Sequence, residues 1–200
     1  MNQKTTTSEI LLLEHELPAN QHRRRFLKTL AGCAVAGGMA IPEAYAAKSR
    51  YPSHKALALA NLHTGEKIKA VYFEHGRYLP DAIKEIEWLM RDYRTDQAHR
   101  IDRALLDQIH ELKRRLGVSH KPVQILSGYR SPFTNKQLRK QSRGVAKNSL
   151  HMQGRAVDLQ IEGVSVSRLR AAALTMRKGG VGYYPGSGFV HIDTGAVRTW

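Results

Sequence analysis

A single cysteine, Cys33, stands in 200 residues, which excludes an internal disulfide and a cysteine-built zinc cage. No apolar run reaches the length needed to cross a bilayer. Internal repeats and low-complexity tracts are also missing, so solenoid and propeller architectures drop out. Acidic residues are scarce: 17 Asp and Glu stand against 32 Lys and Arg, a formal charge of +15. That balance favours an anionic partner or surface without identifying it, because charge governs association rather than fold. No aromatic-basic recognition motif accompanies the charge, so nucleic acid is not the expected partner. What is present is ordinary for a globular chain, 42% hydrophobic and 24% charged, with room for one domain.

The N-terminus reads as an address rather than as structure. Arg23-Arg24-Arg25-Phe26-Leu27-Lys28 precedes a mild apolar run, Thr29 to Ile41, and then Ala44-Tyr45-Ala46. This is a basic region, a short hydrophobic region and a small-x-small cleavage site in order. The arginine pair followed by Phe-Leu-Lys resembles the twin-arginine export signal. Leu30-Ala31-Gly32-Cys33 also matches a lipoprotein box, but a cut there would leave almost no hydrophobic region after Lys28. The expectation is therefore a signal over 1–46, a mature domain over 47–200 carrying a charge of +14, and a periplasmic destination.

Alternation over Ala56–His63 and Lys67–Phe73, about a Thr64-Gly65-Glu66 turn, predicts a β-hairpin. Pro80-Asp81 opens a helix with Ile83, Ile86, Leu89, Met90 and Tyr93 at helical spacing, and a second runs from about Asp102 to a stop at Gly117. A strand follows at Val123–Leu126. Asn135–Asn148 reads as a short helix and a loop, Arg155–Ile161 as a strand, and Ser165–Arg177 as a helix stopped by Gly179-Gly180. Two last strands, Val181–Tyr184 and Phe189–Asp193, flank Pro185-Gly186-Ser187-Gly188. The expected class is α+β, a small antiparallel sheet with flanking helices.

The chemistry lies in the last quarter. If Val157, Leu159 and Ile161 face the core, alternation sends Ala156, Asp158 and Gln160 to the other face. In the last strand Val190 and Ile192 oppose His191 and Asp193. His151 sits just upstream of the first of these strands, on a turn hinged at Gly154. Two imidazoles and one carboxylate are a usual donor set for catalytic zinc, with a fourth position left for water. Asp193 is then placed to act as general base or to orient His191. Arg130 is placed to hold a substrate carboxylate or a developing oxyanion. No His-Glu-x-x-His motif occurs, which excludes the thermolysin-like class.

Taken together, Ser-Gly-Tyr-Arg-Ser, Ser-x-His-x-x-Gly-x-Ala-x-Asp, Gly-Tyr-Tyr-Pro and Phe-Val-His-Ile-Asp-Thr-Gly resemble the zinc D-Ala-D-Ala peptidase group, which shares the fold of hedgehog-type domains. Within it the chain is most similar to the murein endopeptidase K branch, over roughly residues 50–200. The resemblance implies one zinc ion held by His151, Asp158 and His191, and cleavage of peptide cross-links in peptidoglycan. It also implies a substrate-binding role for Arg130, and the same motifs supply Tyr129, Ser149 and Tyr184 as candidate substrate contacts. Some relatives carry a Glu three residues before the last ligand. Here that position is Gly188, which leaves Asp193 as the candidate base. A D,D-carboxypeptidase or dipeptidase on the same fold, and a non-catalytic wall-binding module with a structural zinc, are the competing expectations. The +14 charge suits an anionic wall or membrane surface.

Overall fold

The computed structural model describes residues 54–142 and 144–200. The expected export signal, its cleavage site and Cys33 lie outside the described residues.

The hairpin forms as expected. β1 (His54–Asn61) and β2 (Lys67–Glu74) pair antiparallel, and Asn61 shapes the turn. Its side-chain oxygen accepts from the backbone N–H of His63 and Thr64, while its Nδ2 donates to the Leu89 carbonyl. A two-residue strand, β3 (Arg77–Tyr78), extends the hairpin. Helix α1 (Pro80–Leu89) starts on its proline, whose missing N–H costs nothing at the first turn. It ends four residues before Tyr93, which stacks on His63 instead of continuing the helix. Helix α2 (Arg103–Leu116) is capped by the Asp102 carboxylate, which accepts from Ala104, and ends in left-handed Gly117.

β4 (Val123–Ser127) leads through Arg130 into α3 (Pro132–Gln141), which Ser131 caps and which starts three residues earlier than its sequence pattern suggests. β5 (Ala156–Gln160), α4 (Val166–Met176), β6 (Gly180–Tyr184) and β7 (Phe189–Asp193) follow. The stop of α4 is Arg177 in the left-handed region, φ 50°, and the first residue after the glycine pair's Gly179 already begins β6. A last short strand, β8 (Arg198–Thr199), was not visible as a pattern.

The eight strands among the described residues form one sheet in the order β3-β2-β1-β4-β5-β7-β6-β8. The class is α+β as expected, but the sheet is mixed rather than antiparallel. β1 and β4 run parallel because the chain between them crosses over through α1 and α2, and β8 returns parallel to β6. Leu57, Leu59, Tyr72, Ile86, Leu105, Ile109, Leu112, Val157, Leu159, Leu169 and Ile192 belong to a single core cluster joining α1, α2 and α4 to the sheet. Alternation along β5 and β7 then commits Asp158 and His191 to the other face.

Candidate metal centre

The register of the sheet assembles the site. Ser127 of β4, Asp158 of β5, His191 of β7 and Gly182 of β6 form one row across four strands. His151 reaches this row from a single 3-10 turn, Leu150–Gln153. The Ser149 hydroxyl accepts from the His151 N–H at its start, and Gly154 closes it with φ 64°. Glycine is required there on two counts: the left-handed backbone, and the Arg100 carbonyl packed where a Cβ would stand.

Hydrogen bonds behind each imidazole set its tautomer. His151 Nδ1 lies 2.7 Å from the Gly128 carbonyl, which can only accept, so the proton sits on Nδ1 and the Nε2 lone pair faces the site. Burial pushes the His191 pKa down, but carboxylates on both nitrogens, Asp158 2.8 Å from Nδ1 and Asp193 3.1 Å from Nε2, outweigh it and raise it, so Nδ1 offers its lone pair when a cation takes the place of its proton. The two site-facing nitrogens are 3.2 Å apart, and Asp158 Oδ1 lies 2.8 Å from His191 Nδ1 and 3.4 Å from His151 Nε2. Three lone-pair atoms meeting this closely repel unless a proton or a cation lies among them. Zinc bonds of about 2.0–2.1 Å in tetrahedral directions set ligand atoms about 3.3 Å apart, which the observed triangle approximates. Among the described residues no fourth His, Cys, Asp or Glu joins this group. Burial pushes the Asp158 pKa up, but the two imidazoles outweigh it and hold the carboxyl below the usual carboxylate range.

Asp193 stands elsewhere. It has no exposed surface and sits behind His191, on the nitrogen that points away from Asp158. Oδ1 accepts from the Gly180 and Gly195 amides at 2.9 and 2.8 Å and from Arg198 Nη1 at 3.1 Å. Oδ2 accepts from Arg198 Nη2 at 2.7 Å as well as from His191. Burial raises its pKa, yet these donors more than offset it and hold the group ionised well below the ordinary value. A carboxylate with its lone pairs already engaged, on the far side of a ligand, does not have the geometry expected of a general base.

A cleft of about 440 Å³ opens over the triangle, lined by Arg130, Ser149, His151, Asp158, Tyr184 and His191 among others. Arg130 lines the cleft beside the triangle. Its Nη2 lies 3.7 Å from Asp158 Oδ2 and 3.3 Å from the Ser127 hydroxyl. Ser149 and Tyr184 also line the cleft, whereas Tyr129 stacks on His99 and is not among its walls. Among the wall residues that sequence reasoning did not name are Phe189, Arg198 and Trp200. The Trp200 indole lies 5.2 Å from the His191 ring, donates Nε1–H to the Tyr184 hydroxyl at 2.7 Å, and occupies space that a Cβ on Gly182 would invade at 2.8 Å. No periodicity or motif marks Arg198 and Trp200, so only the pairing of β8 with β6 reveals them.

An open His–Asp–His donor set beneath a cleft, with a guanidinium beside it, defines the class of metal-dependent hydrolases. The peptidase family described as "Peptidoglycan L,D-endopeptidase MepK" matches residues 49–200, and the chain belongs to that family. It is 49% identical over 177 residues to "Peptidoglycan L,D-endopeptidase MepK" of Escherichia coli (strain K12), covering 88% of this chain and 96% of the relative. It is 39% identical over 181 residues to "Probable peptidoglycan L,D-endopeptidase MepK" of Haemophilus influenzae (strain ATCC 51907 / DSM 11121 / KW20 / Rd), covering 90% and 96%.

Proposed function

We propose that this protein is a zinc-dependent endopeptidase that hydrolyses peptide cross-links between peptidoglycan stems in the periplasm. The observation that carries the reading is the triangle of His151 Nε2, Asp158 Oδ1 and His191 Nδ1 beneath a cleft, with both imidazoles held from behind. The names of its relatives supply the substrate. His151, Asp158 and His191 would hold one zinc ion. When bound, the metal supplies a Lewis acid and makes a water acidic enough to ionise near pH ~7.

The chain's own groups do the rest. The Gly128 carbonyl and the Asp193 carboxylate hold the two imidazoles in the tautomer that presents a lone pair, so Asp193 acts as a positioning residue here. Arg130, largely desolvated beside Asp158, offers its guanidinium to a substrate carboxylate or to charge developing on the scissile carbonyl. Phe189, Tyr184 and Trp200 build an aromatic wall that limits water in the cleft and packs against substrate. Export through residues 1–46 by the twin-arginine route belongs to the same proposal.

Metal analysis of the purified protein with muropeptide profiling of digested sacculi tests it. One zinc per chain and release of uncross-linked muropeptides, abolished by chelation and restored by zinc, are expected. Products that only shorten stems would favour the exopeptidase, and sacculus binding with no product would favour the wall-binding module.

A further inference from the structure

The inference concerns α3, next to the cleft but outside it. Between Glu111 and Asp158 the chain carries no aspartate or glutamate, and the second half of that stretch holds Lys136, Arg139, Lys140 and Lys147 among its cations. On α3, Thr134, Asn135 and half-buried Leu138 form the inner face. Phe133, Lys136, Gln137 and Lys140 recur at spacings of three and four on the outer face, flanked by Arg139, and all are exposed. Six arginines of the described residues, Arg91, Arg114, Arg115, Arg130, Arg155 and Arg198, pair with carboxylates. None of Lys136, Arg139, Lys140 and Lys147 enters an ion pair among the described residues. Their charge is uncompensated within the fold.

The patch is tied to the active face. α3 follows directly from Arg130, and buried Asn135 donates through Nδ2 to the carbonyls of Ala146 and Lys147 at 3.1 and 3.4 Å. Gly144, Val145, Ala146 and Asn148 of that loop line the cleft.

We propose that the outer face of α3, with Lys147, is an accessory binding surface for the carboxylate-bearing stems of the peptidoglycan network, beyond the stem pair in the cleft. This rests on the endopeptidase reading and extends it from one bond to a polymer. A polyanionic mesh presents carboxylates at many points, and a row of unpaired cations beside the cleft holds the enzyme on it between cuts. A lipid surface fits less well. Phe133, 63% exposed, is the one large apolar side chain on that face, and membrane-lying helices bury a wide apolar face.

The test uses the triple variant Lys136→Glu, Arg139→Glu, Lys140→Glu, all outside the catalytic machinery. Co-sedimentation with intact sacculi should weaken about ten-fold or more in low salt, the gap closing at about 300 mM salt as screening takes over. Turnover of soluble cross-linked fragments and the melting temperature should match wild type. Unchanged sacculus binding overturns the proposal, as does a soluble-fragment rate that falls in parallel. Loss of binding to phosphatidylglycerol vesicles with sacculus binding intact overturns it in favour of a membrane. Wild-type protein that binds sacculi through this face yet cleaves no fragment supports the surface and sinks the endopeptidase reading.

Discussion

Replacing Arg198 with leucine tests how the centre is held. The guanidinium makes two charge-assisted bonds to Asp193, at 2.7 and 3.1 Å. The carboxylate side chain is 0% exposed while that of Arg198 is 44% exposed. Stripping one partner from a fully buried ion pair costs about 3–5 kcal/mol. Two features lower that figure here: water already reaches Arg198, and Asp193 keeps the Gly180 and Gly195 amides and the His191 N–H. The expected loss is about 1.5–3 kcal/mol. The pH dependence has a definite sign. Burial raises the Asp193 pKa, but its donors, Arg198 included, bring it below the ordinary 3.8. A carboxyl depressed on folding contributes stability above its unfolded pKa, and that contribution is lost as pH falls through the folded value. The difference between wild type and variant should therefore shrink on acidification. Urea denaturation of metal-free protein at neutral and acid pH measures it, with Asp193→Asn and the double variant completing a cycle. A coupling below about 0.5 kcal/mol, or a difference that does not shrink in acid, would refute the reasoning.

Asp193→Asn should lower metal affinity or turnover by about 10–100-fold while the acid limb of the pH–rate profile persists, since the group positions His191. Disappearance of that limb would make Asp193 the base after all. Gly182→Ala should push the indole of Trp200 from beside His191, raising KM more than it lowers kcat in steady-state kinetics on soluble cross-linked fragments. Unchanged KM would mean that the wall does not meet substrate. Glu111 is bonded to Arg114 and Arg115, and hydrogen bonding to Arg114, only partly opposed by burial, brings its pKa from 4.5 to about 2. Its stabilisation should be complete above about pH 4.5 and vanish as pH falls toward 2, so Glu111→Gln should destabilise at pH 7 and be neutral in strong acid. A pH-independent difference in thermal melts would contradict this.

Part of the positive charge on this protein is structural. Cations near β1, α1 and α2 are spent on Asp107, Glu66, Asp96 and Glu111. Lys136, Arg139 and Lys140 of α3 enter no ion pair among the described residues, and they lie in the acid-free stretch that also supplies Arg130 and the cleft loop. Net charge alone points to an anionic partner, and the stretch without Asp or Glu between Glu111 and Asp158 is where the proposal above places it.

Period-two alternation was enough to put Asp158 and His191 on one face, because a strand leaves no other choice once Val157 and Leu159 are buried. Helix starts at Pro80 and Asp102 and the stop at Gly117 were equally legible, since caps and prolines act within a few residues of themselves. The three donor residues were also readable, each in a local motif. Roles were not. Asp193 lies two residues from His191 in the chain, which suits a base and a positioning group equally. The convergence of Gly180, Gly195 and Arg198 on its oxygens is what favours the positioning role proposed above, and Gly180 and Arg198 come from other strands. Likewise the mixed sheet and the Trp200 wall depend on which strands lie side by side, a matter of crossover and long-range packing that neighbouring residues do not encode. Local chemistry named the atoms that face one another, and strand order determined what stands behind them.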